Sequence, residues 1–178
     1  MSGAPPSRLS VRRLARVSDA DVAALAALLI DVVEGGASIG FMPPIDAARS
    51  EAFWRRIAAG VNGGERILFV ADEGDCIVGT VQLLLEQPEN QPHRADVAKM
   101  MVLRRARRSG IGAALMRAAE QEAKVRGKTL LVLDTASADA ERLYARLGWQ
   151  RCGTIPGYAL LPQGGLCDTT YFYRVLDG

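Results

Sequence analysis

The chain has 178 residues, of which 49% are hydrophobic and 24% charged, a balance typical of one globular domain with a sizeable core. Its formal net charge of +2 is too small to create a global field that would attract nucleic acid or a membrane surface. No apolar run approaches the roughly 18 residues of a membrane span, and the segment MSGAPPSRLS lacks the apolar centre of a signal peptide. We therefore expect a soluble intracellular protein.

Cysteine and histidine content limits the metal and redox chemistry that the chain can support. Cys76, Cys152 and Cys167 are odd in number and widely spaced, and His93 is the single histidine. Without a C-x-x-C pair these residues argue against a structural zinc site, and we expect no metal. Unpaired cysteines favour a reducing compartment, so the sequence predicts a cytoplasmic location.

The first part of the chain predicts a strand, two helices and a hairpin. Its proline and small residues at 1–7 predict a disordered tail, followed by a single domain at 8–178. A helix should begin after Ser18, because serine is a preferred N-cap and acidic residues follow it in the first turn. The elements expected here are a strand at 9–17, a helix after Ser18, a helix at 46–61 and hairpin strands at 66–72 and 76–86.

The second part of the chain alternates strands and helices. The run TLLVLDT (129–135) is short and apolar, as is typical of a central strand that is buried on both faces. The expected elements are a strand at 93–103, a helix at 110–126 ended by Gly127, a strand at 129–135, a helix at 137–148 and closing strands at 149–160 and 169–176. Together they predict an α+β fold with helices on a mixed, mostly antiparallel sheet.

The stretch RRARRSGIGAAL (104–115) combines arginines, glycines and the start of a helical pattern. The first amides of a helix lack internal partners and the helix dipole adds positive potential there, so this stretch predicts an anion site. It is neither a Walker A loop, since no G-K-[ST] follows, nor a Rossmann fingerprint, since the third glycine is missing. Taken alone, the pattern fits an ordinary helix start with a solvated basic turn equally well.

Two motifs at a suitable separation resemble the GCN5-related N-acetyltransferase (GNAT) family. RRSGIG (107–112) matches its pyrophosphate motif R/Q-x-x-G-x-G/A, and ADAERLYARLGW (138–149) resembles its A-x-x-L-Y-x-x-x-G-F segment. The resemblance covers roughly residues 9–176. It implies the fold of that family, with a splayed central strand pair, and transfer of an acetyl group from acetyl-CoA to an amine by direct attack in a ternary complex.

The resemblance implies that acetyl-CoA binds between the strands at 93–103 and 129–135. Amides of the glycine turn would hold the pyrophosphate, and the amide of Val102, or alternatively Leu103, would polarise the thioester carbonyl. Ser137 stands where the family often has an asparagine that contacts the cofactor. The expected cofactor-binding residues are Met101, Val102, Leu103, Arg107, Arg108, Ser109, Gly110, Ile111, Gly112, Ala113, Ser137 and Tyr144.

Three residues are candidates for acid–base catalysis. The acceptor amine must lose a proton, and the candidate bases are Asp96 and Asp134. Asp134 ends an apolar strand, where desolvation would make its carboxylate a better proton acceptor. Tyr144 occupies the tyrosine position of the family and would protonate the leaving thiolate. Each also has an ordinary explanation: Asp134 as a turn cap, Asp96 as a solvated strand residue and Tyr144 as part of the core.

The acceptor pocket is expected between the first two helices and the closing strands. Its candidate residues are Ser38, Phe41 and Met42 in the loop EGGASIGFMPP, with Tyr158 opposite, although Phe41 and Met42 also suit simple core packing. Short stretches such as GGASIGFM (35–42) resemble a branch of the family that acetylates an amino-acid β-lactam toxin, which implies a role in toxin or antibiotic resistance.

The expected partner is a small-molecule amine, with no nucleic acid and no membrane, and the resemblance allows a homodimer because many relatives pair. Three alternatives remain open at this point. One is acetylation of a protein N-terminus or lysine. Another is a non-catalytic CoA or polyphosphate-binding module, although no aromatic residue for base stacking lies between Met100 and Leu133. The last is a degenerate fold that senses CoA.

Overall fold

The computed structural model describes residues 9–177, so the tail predicted at 1–7 lies outside the described residues. In chain order the elements are β1 (Leu9–Leu14), α1 (Asp19–Glu34), α2 (Ala47–Asn62), β2 (Arg66–Glu73), β3 (Cys76–Leu84), β4 (Arg94–Val102), a 3-10 turn (Arg104–Ala106), α3 (Ile111–Val125), β5 (Leu130–Thr135), α4 (Ala138–Arg146), β6 (Gln150–Leu160) and β7 (Leu166–Val175). Among residues 9–177, no helix combines the length and the apolar character needed to cross a bilayer.

The first two helices begin where their capping residues predict. The Ser18 side chain accepts a hydrogen bond from the Asp21 N–H, and the Asp21 carboxylate accepts from the Ser18 N–H, which completes a capping box. Asp46 caps α2 by accepting from the Arg49 N–H. These side chains satisfy amides that have no partner within the helix, and they confirm both predicted helix starts.

The seven strands form one sheet in the order β1-β2-β3-β4-β5-β7-β6. Every neighbouring pair is antiparallel except β4 and β5, which are parallel, so the predicted α+β fold with a mixed, mostly antiparallel sheet is confirmed. The register between β4 and β5 extends only from Arg94↔Leu130 to Asp96↔Val132. Beyond these residues the two strands separate, which is the splayed pair that the fold class implied.

Apolar side chains pack on both faces of the sheet. On one face α3 buries Leu115 and Met116 against Val81 and Leu83 of β3 and Leu131 of β5. On the other face, α1 and α2 form a second core with β2, which includes Leu25, Leu29, Trp54, Leu68 and Val70. Each fully buried side chain of this size contributes about 2 kcal/mol of hydrophobic free energy. The two cores therefore cover β2 and β3 on both faces.

Burial of β5 differs from the sequence-based expectation. Leu131 and Leu133 are buried, whereas Leu130 and Val132 are only half-buried and Asp134 is exposed. The prediction of burial on both faces is wrong because the core formed by α1 and α2 contains residues of β1 to β4 and none of β5. One face of β5 is therefore free to border a cavity.

Strand β4 contains a bulge just beyond the point where it leaves β5. Thr80 pairs with Met101 and Gln82 pairs with Ala98, so Lys99 and Met100 together oppose one residue of β3. Lys99 adopts a positive φ of 51°, which is uncommon for a residue other than glycine. The extra residue changes the face that the strand presents: Val97 packs in the α3 core, whereas Met101 packs in the α1–α2 core.

Candidate active site

A cavity of about 1230 Å³ lies where β4 and β5 separate. Its walls come from the loop after α1, the second half of β4, the start of α3, the end of β5, α4 and β6. The predicted site residues that line it are Ser38, Met101, Val102, Arg107, Arg108, Gly110, Ile111, Gly112, Ala113, Asp134, Ser137, Tyr144 and Tyr158. The predicted residues that do not line it are Phe41, Met42, Asp96, Leu103 and Ser109.

The N-terminus of α3 presents bare backbone to this cavity. Gly110 is its N-cap with φ of 86°, a left-handed conformation that favours glycine, and no side chain caps the helix. The first amide with a partner is that of Ala114, which donates to the Gly110 carbonyl oxygen (3.0 Å). The preceding N–H groups have no partner among the described residues, and such groups together with the helix dipole form an anion site.

Gly112 and Ser109 in the glycine turn have structural roles. A Cβ at Gly112 would lie 3.0 Å from Leu143 Cδ2, so glycine here permits close packing between α3 and α4. Ser109 does not line the cavity because its hydroxyl turns back and donates to the Ala106 carbonyl oxygen. The helix start is therefore shaped by glycine and by local hydrogen bonding.

The arginine cluster at 104–108 divides into two pairs with different surroundings. Arg104 is bound by Asp31, and Arg105 is bound by Glu73 at 2.8 Å, so both are tied to acidic residues of other elements. Arg107 and Arg108 line the cavity, and neither forms an ion pair with another residue in the range 9–177. Only this second pair therefore leaves its positive charge available beside the amides of α3.

The amides at the end of β4 face opposite sides. The Leu103 N–H donates to the Val78 carbonyl oxygen (2.9 Å), so it is directed toward β3 and is already occupied. Successive residues of a strand direct their N–H groups to opposite sides, and Val102 precedes Leu103. The Val102 N–H is therefore directed into the gap that β5 leaves open, whereas Leu103 has no free donor there.

Tyr144 lies on α4 with its ring in the core and one edge at the cavity. Its exposed fraction is 4%, and its ring packs against Trp149 (6.0 Å between centroids) and Phe172 (5.8 Å). Burial raises the pKa of the Tyr144 phenol, and the negative charge of Asp134 raises it further. The phenol therefore keeps its proton at neutral and moderately alkaline pH.

Asp134 lines the cavity at the end of β5. Its Oδ2 accepts a hydrogen bond from Thr169 Oγ1 of β7 at 2.8 Å, which fixes the carboxylate. The Asp134 side chain is exposed, because the pairing of β5 with β4 ends at Val132. The burial that was expected from its place at the end of an apolar strand is therefore not observed. Ser137, three residues further on, caps α4 by accepting from the Ala140 N–H (3.3 Å) and also lines the cavity.

Asp96 is directed away from the cavity and into a local polar cluster. Its Oδ1 accepts from Arg94 Nη1 at 2.9 Å, and its Oδ2 accepts from Gln87 Nε2 at 3.2 Å. It lies at the last register pair with β5, before the strands separate. The structure therefore does not bring Asp96 to the cavity, and its carboxylate is already neutralised by an arginine.

One end of the cavity, which we call the acceptor end, is lined by residues 35–40, Tyr158, Ala159, Leu161 and Thr169. Weak polar contacts bridge its two sides: Ser38 Oγ donates to the Leu160 carbonyl oxygen (3.5 Å), and Gln163 Nε2 donates to the Glu34 carbonyl oxygen (3.4 Å). Tyr158 lines the same end, with its hydroxyl 3.2 Å from that of Tyr171. The loop after α1 and the β6–β7 hairpin therefore meet across this end.

Phe41 and Met42 do not line the cavity. The Phe41 ring packs edge-on against Phe53 (5.0 Å) within the α1–α2 core and lies under Arg49 at 5.9 Å. Met42 is exposed on the far side of the loop. The prediction that they line the acceptor pocket is wrong, because the loop turns their side chains toward α2 and solvent.

Lys99 also lines the cavity, although it was not among the site residues predicted from the sequence. Its Nζ donates to the Ile39 carbonyl oxygen at 2.7 Å and lies 6.0 Å from the centroid of the Phe41 ring. The signal in the sequence is one lysine within the apolar stretch DVAKMMVL, at a position where a regular strand would bury it. Burial lowers the pKa of the Lys99 ammonium, and the charge of Asp134 acts against this effect.

Comparison with known proteins agrees with this fold. The family model of the acetyltransferase (GNAT) family matches residues 37–149, and the chain belongs to that family. The chain is also 30% identical over 128 residues to an uncharacterized N-acetyltransferase from the hisH-hisA intergenic region of Azospirillum brasilense, covering 71% of this chain and 74% of that protein. The protein is therefore an acetyltransferase.

Solved structures show the same architecture. An N-acetyltransferase from Staphylococcus aureus Mu50 superposes with a TM-score of 0.80 at 17% identity, covering 96% of this chain and 100% of that one. The yncA protein of Salmonella typhimurium, solved with its cofactor acetyl-CoA, superposes with a TM-score of 0.76 at 21% identity, covering 95% and 94%. At these identities the likeness establishes the fold.

Proposed function

We propose that the protein transfers an acetyl group from acetyl-CoA to the amine of a small molecule by direct attack in a ternary complex. One observation carries the proposal: a single cavity joins the free amides of α3 to a carboxylate, Asp134, and a protonated phenol, Tyr144. An anion site at one end and acid–base groups beyond it are what an acyl transfer from a nucleotide-containing thioester requires.

Acetyl-CoA suits the part of the cavity at α3. Its pyrophosphate is an anion that the N–H groups of Ile111 to Ala113 would bind, while Arg107 and Arg108 would add charge-assisted hydrogen bonds. The Val102 N–H, directed into the gap between β4 and β5, would stabilise the oxyanion that develops on the thioester carbonyl. Met101 and Ser137 border the same part of the cavity. Leu103 and Ser109 would not bind the cofactor there, because the Leu103 N–H and the Ser109 hydroxyl already donate to backbone carbonyl oxygens.

The transfer then needs three proton movements. Asp134 accepts a proton from the ammonium group of the acceptor, directly or through one water, and the free amine attacks the acetyl carbon. The C–N bond forms as the C–S bond breaks and the electron pair leaves on sulfur as a thiolate, while the nitrogen, which is cationic after the attack, releases its second proton to water. Tyr144 donates its proton to that thiolate. Because its pKa is raised, the phenol is protonated whenever a thiolate departs.

The acceptor end favours a small molecule over a protein chain. The contacts of Ser38 with Leu160 and of Gln163 with Glu34 bridge the loop after α1 and the β6–β7 hairpin, so an extended peptide has no open groove there. Four stretches, GGASIGFM, RADVAKMMVL, LDT and PGYALLPQGGL, also resemble the tabtoxin resistance protein, which acetylates an amino-acid β-lactam toxin. A role in toxin resistance is the finer form of this proposal, and the cytoplasmic location stays a prediction.

The test of the cofactor site compares arginines of the same cluster. Arg107→Ala and Arg108→Ala should each weaken acetyl-CoA binding about ten-fold in calorimetry, since each removes one charge-assisted contact. Arg105→Ala is the matched control, because it removes the same charge from a residue bound to Glu73. Equal affinities in all three variants would remove the proposed pyrophosphate site, and release of thiol on adding amines would test the transfer itself.

A further inference from the structure

The bulge of β4 places Lys99 in the cavity at a conformational cost. Two residues oppose one at this point, and Lys99 adopts φ of 51°. A left-handed conformation at a residue other than glycine is strained and persists only where the surrounding structure enforces it. On a regular strand Lys99 would follow Ala95 and Val97 into the α3 core. The bulge instead directs its side chain across the cavity to the loop after α1.

The Lys99 ammonium lacks a counter-ion. It is half-buried, and its Nζ donates to the Ile39 carbonyl oxygen at 2.7 Å. Within residues 9–177 no carboxylate lies within 4 Å of it, so this ammonium lacks the ion pair that Arg104 and Arg105 have. An ammonium group has three N–H donors, and one carbonyl uses one of them. A desolvated cation with spare donors is normally paired with an anion.

The charges at this end of the cavity form a complementary pair. The acceptor end is lined mainly by small, apolar and hydroxyl residues, and the ionisable groups next to it on the strands are Lys99 of β4 and Asp134 of β5. Asp134 is near enough to act on the charge of Lys99, although the two do not form an ion pair. One positive and one negative group, held apart on two diverging strands, match a molecule that carries both an amine and a carboxylate.

We propose that Lys99 binds a carboxylate of the acceptor, so that the amine acetylated by this protein belongs to an amino acid or a close analogue of one. The inference rests on the proposed function and defines its substrate class. In this arrangement the acceptor ammonium lies toward Asp134 and its carboxylate toward Lys99. The contact with Ile39 then connects the acceptor-binding cation to the loop that closes the acceptor end.

The experiment uses amines in matched pairs that differ only in the carboxylate. Ornithine and putrescine, lysine and cadaverine, phenylalanine and phenethylamine, and tyrosine and tyramine are assayed with acetyl-CoA by thiol release. The wild-type protein should have the higher kcat/KM for the amino acid of each pair that it accepts. In Lys99→Met the ratio of kcat/KM, amino acid over amine, should fall about ten-fold or more through KM, as expected for loss of a charge-assisted contact.

Two further variants separate binding from structure. Lys99→Arg should restore part of the ratio, because it restores the charge. Lys128→Met is the control: Lys128 Nζ also donates to a backbone carbonyl, that of Pro92 at 2.7 Å, but lies outside the cavity, so the ratio should stay at the wild-type value. Affinity for acetyl-CoA should be the same in all the variants.

The outcomes distinguish this inference from the proposed function. If Lys99→Met lowers kcat/KM equally for both members of a pair, Lys99 only tethers Ile39, and the inference is overturned while the acetyltransfer stands. If the wild-type protein has the higher kcat/KM for the amine of each pair, the inference is likewise overturned while the acetyl transfer stands. A protein that binds acetyl-CoA and acetylates no member of the panel would overturn the proposed function and this inference with it.

Discussion

Arg104 binds both carboxylate oxygens of Asp31: its backbone N–H donates to Oδ2 at 2.9 Å and its Nε donates to Oδ1 at 2.8 Å. The contact joins the last turn of α1 to the segment between β4 and α3. Burial by itself raises the pKa of Asp31, but the hydrogen bonds from Arg104 outweigh burial and leave the pKa below its usual value. The pair therefore fixes the approach to the glycine turn and stabilises the fold.

We predict that Asp31→Asn lowers the free energy of unfolding by about 1 kcal/mol at pH 7. Because the pKa of Asp31 is lower in the folded state, its contribution is full above the unfolded pKa of about 3.9 and is lost as pH falls through the folded value. Urea unfolding at pH 7 and at pH 3 should show the two proteins converging in acid. Glu34→Gln, whose carboxylate lies 3.9 Å from Arg104, is the control and should change little.

Variants of the glycines at the two ends of α3 distinguish the effect of backbone strain on stability from an effect on ligand binding. Gly110 (φ 86°) and Gly127 (φ 68°) both adopt left-handed conformations, and an added Cβ would meet no atom within 4 Å at either. Alanine at either position should therefore cost about 1 kcal/mol of stability. Only Gly110→Ala should weaken acetyl-CoA binding in calorimetry. A similar affinity loss in both variants would argue against an anion site at the start of α3.

We predict that Tyr144→Phe lowers kcat about 100-fold, because the leaving thiolate loses its proton donor. Affinity for acetyl-CoA and thermal stability should change little, since the ring that packs against Trp149 and Phe172 is kept. Tyr173→Phe is the control, because its hydroxyl bonds Gln150 on the edge of the sheet, outside the cavity. A wild-type kcat in Tyr144→Phe would leave this tyrosine with a packing role alone.

The two aspartates are distinguished by a pair of variants. Asp134→Asn should reduce kcat about 100-fold at pH 7 and less at high pH, where the acceptor amine loses its proton to solvent. Asn keeps an acceptor for Thr169 Oγ1, so the fold should be preserved. Asp96→Asn should leave the pH profile unchanged, because that carboxylate is engaged by Arg94. The reverse result in steady-state pH profiles would make Asp96 the base.

The helix starts and the β2–β3 hairpin could be predicted from the sequence because local signals determine them. Ser18 and Asp46 cap helices through contacts within three residues, and the period of apolar residues changes at the hairpin. The sequence could not predict that Arg104 and Arg105 form ion pairs whereas, within the described part of the chain, Arg107 and Arg108 do not. This difference depends on Asp31 and Glu73, which are distant in the chain, so it became visible only in the folded structure.

The placement of residues at the candidate site also depends on contacts that the sequence does not reveal. Asp96 and Asp134 both follow apolar residues in strands, and only the point at which β4 and β5 separate decides which one meets the cavity. Lys99 was missed because a bulge depends on the register with β3, which periodicity within one strand does not reveal. The contact of Phe41 with Phe53 could not be predicted, because the sequence of a loop does not give the direction in which its side chains turn.

The narrow junction between β4 and β5 has a consequence for the lifetime of the protein in the cell. Among residues 9–177, backbone pairing between the segments 93–96 and 129–132 is all that connects the strands β1 to β4 with the strands β5 to β7 across the sheet. A coenzyme seated in the opening would add about 2.7 kcal/mol to folding stability at a hundred times its Kd. Loss of the bound coenzyme would then raise the population of opened chains that proteases can cleave.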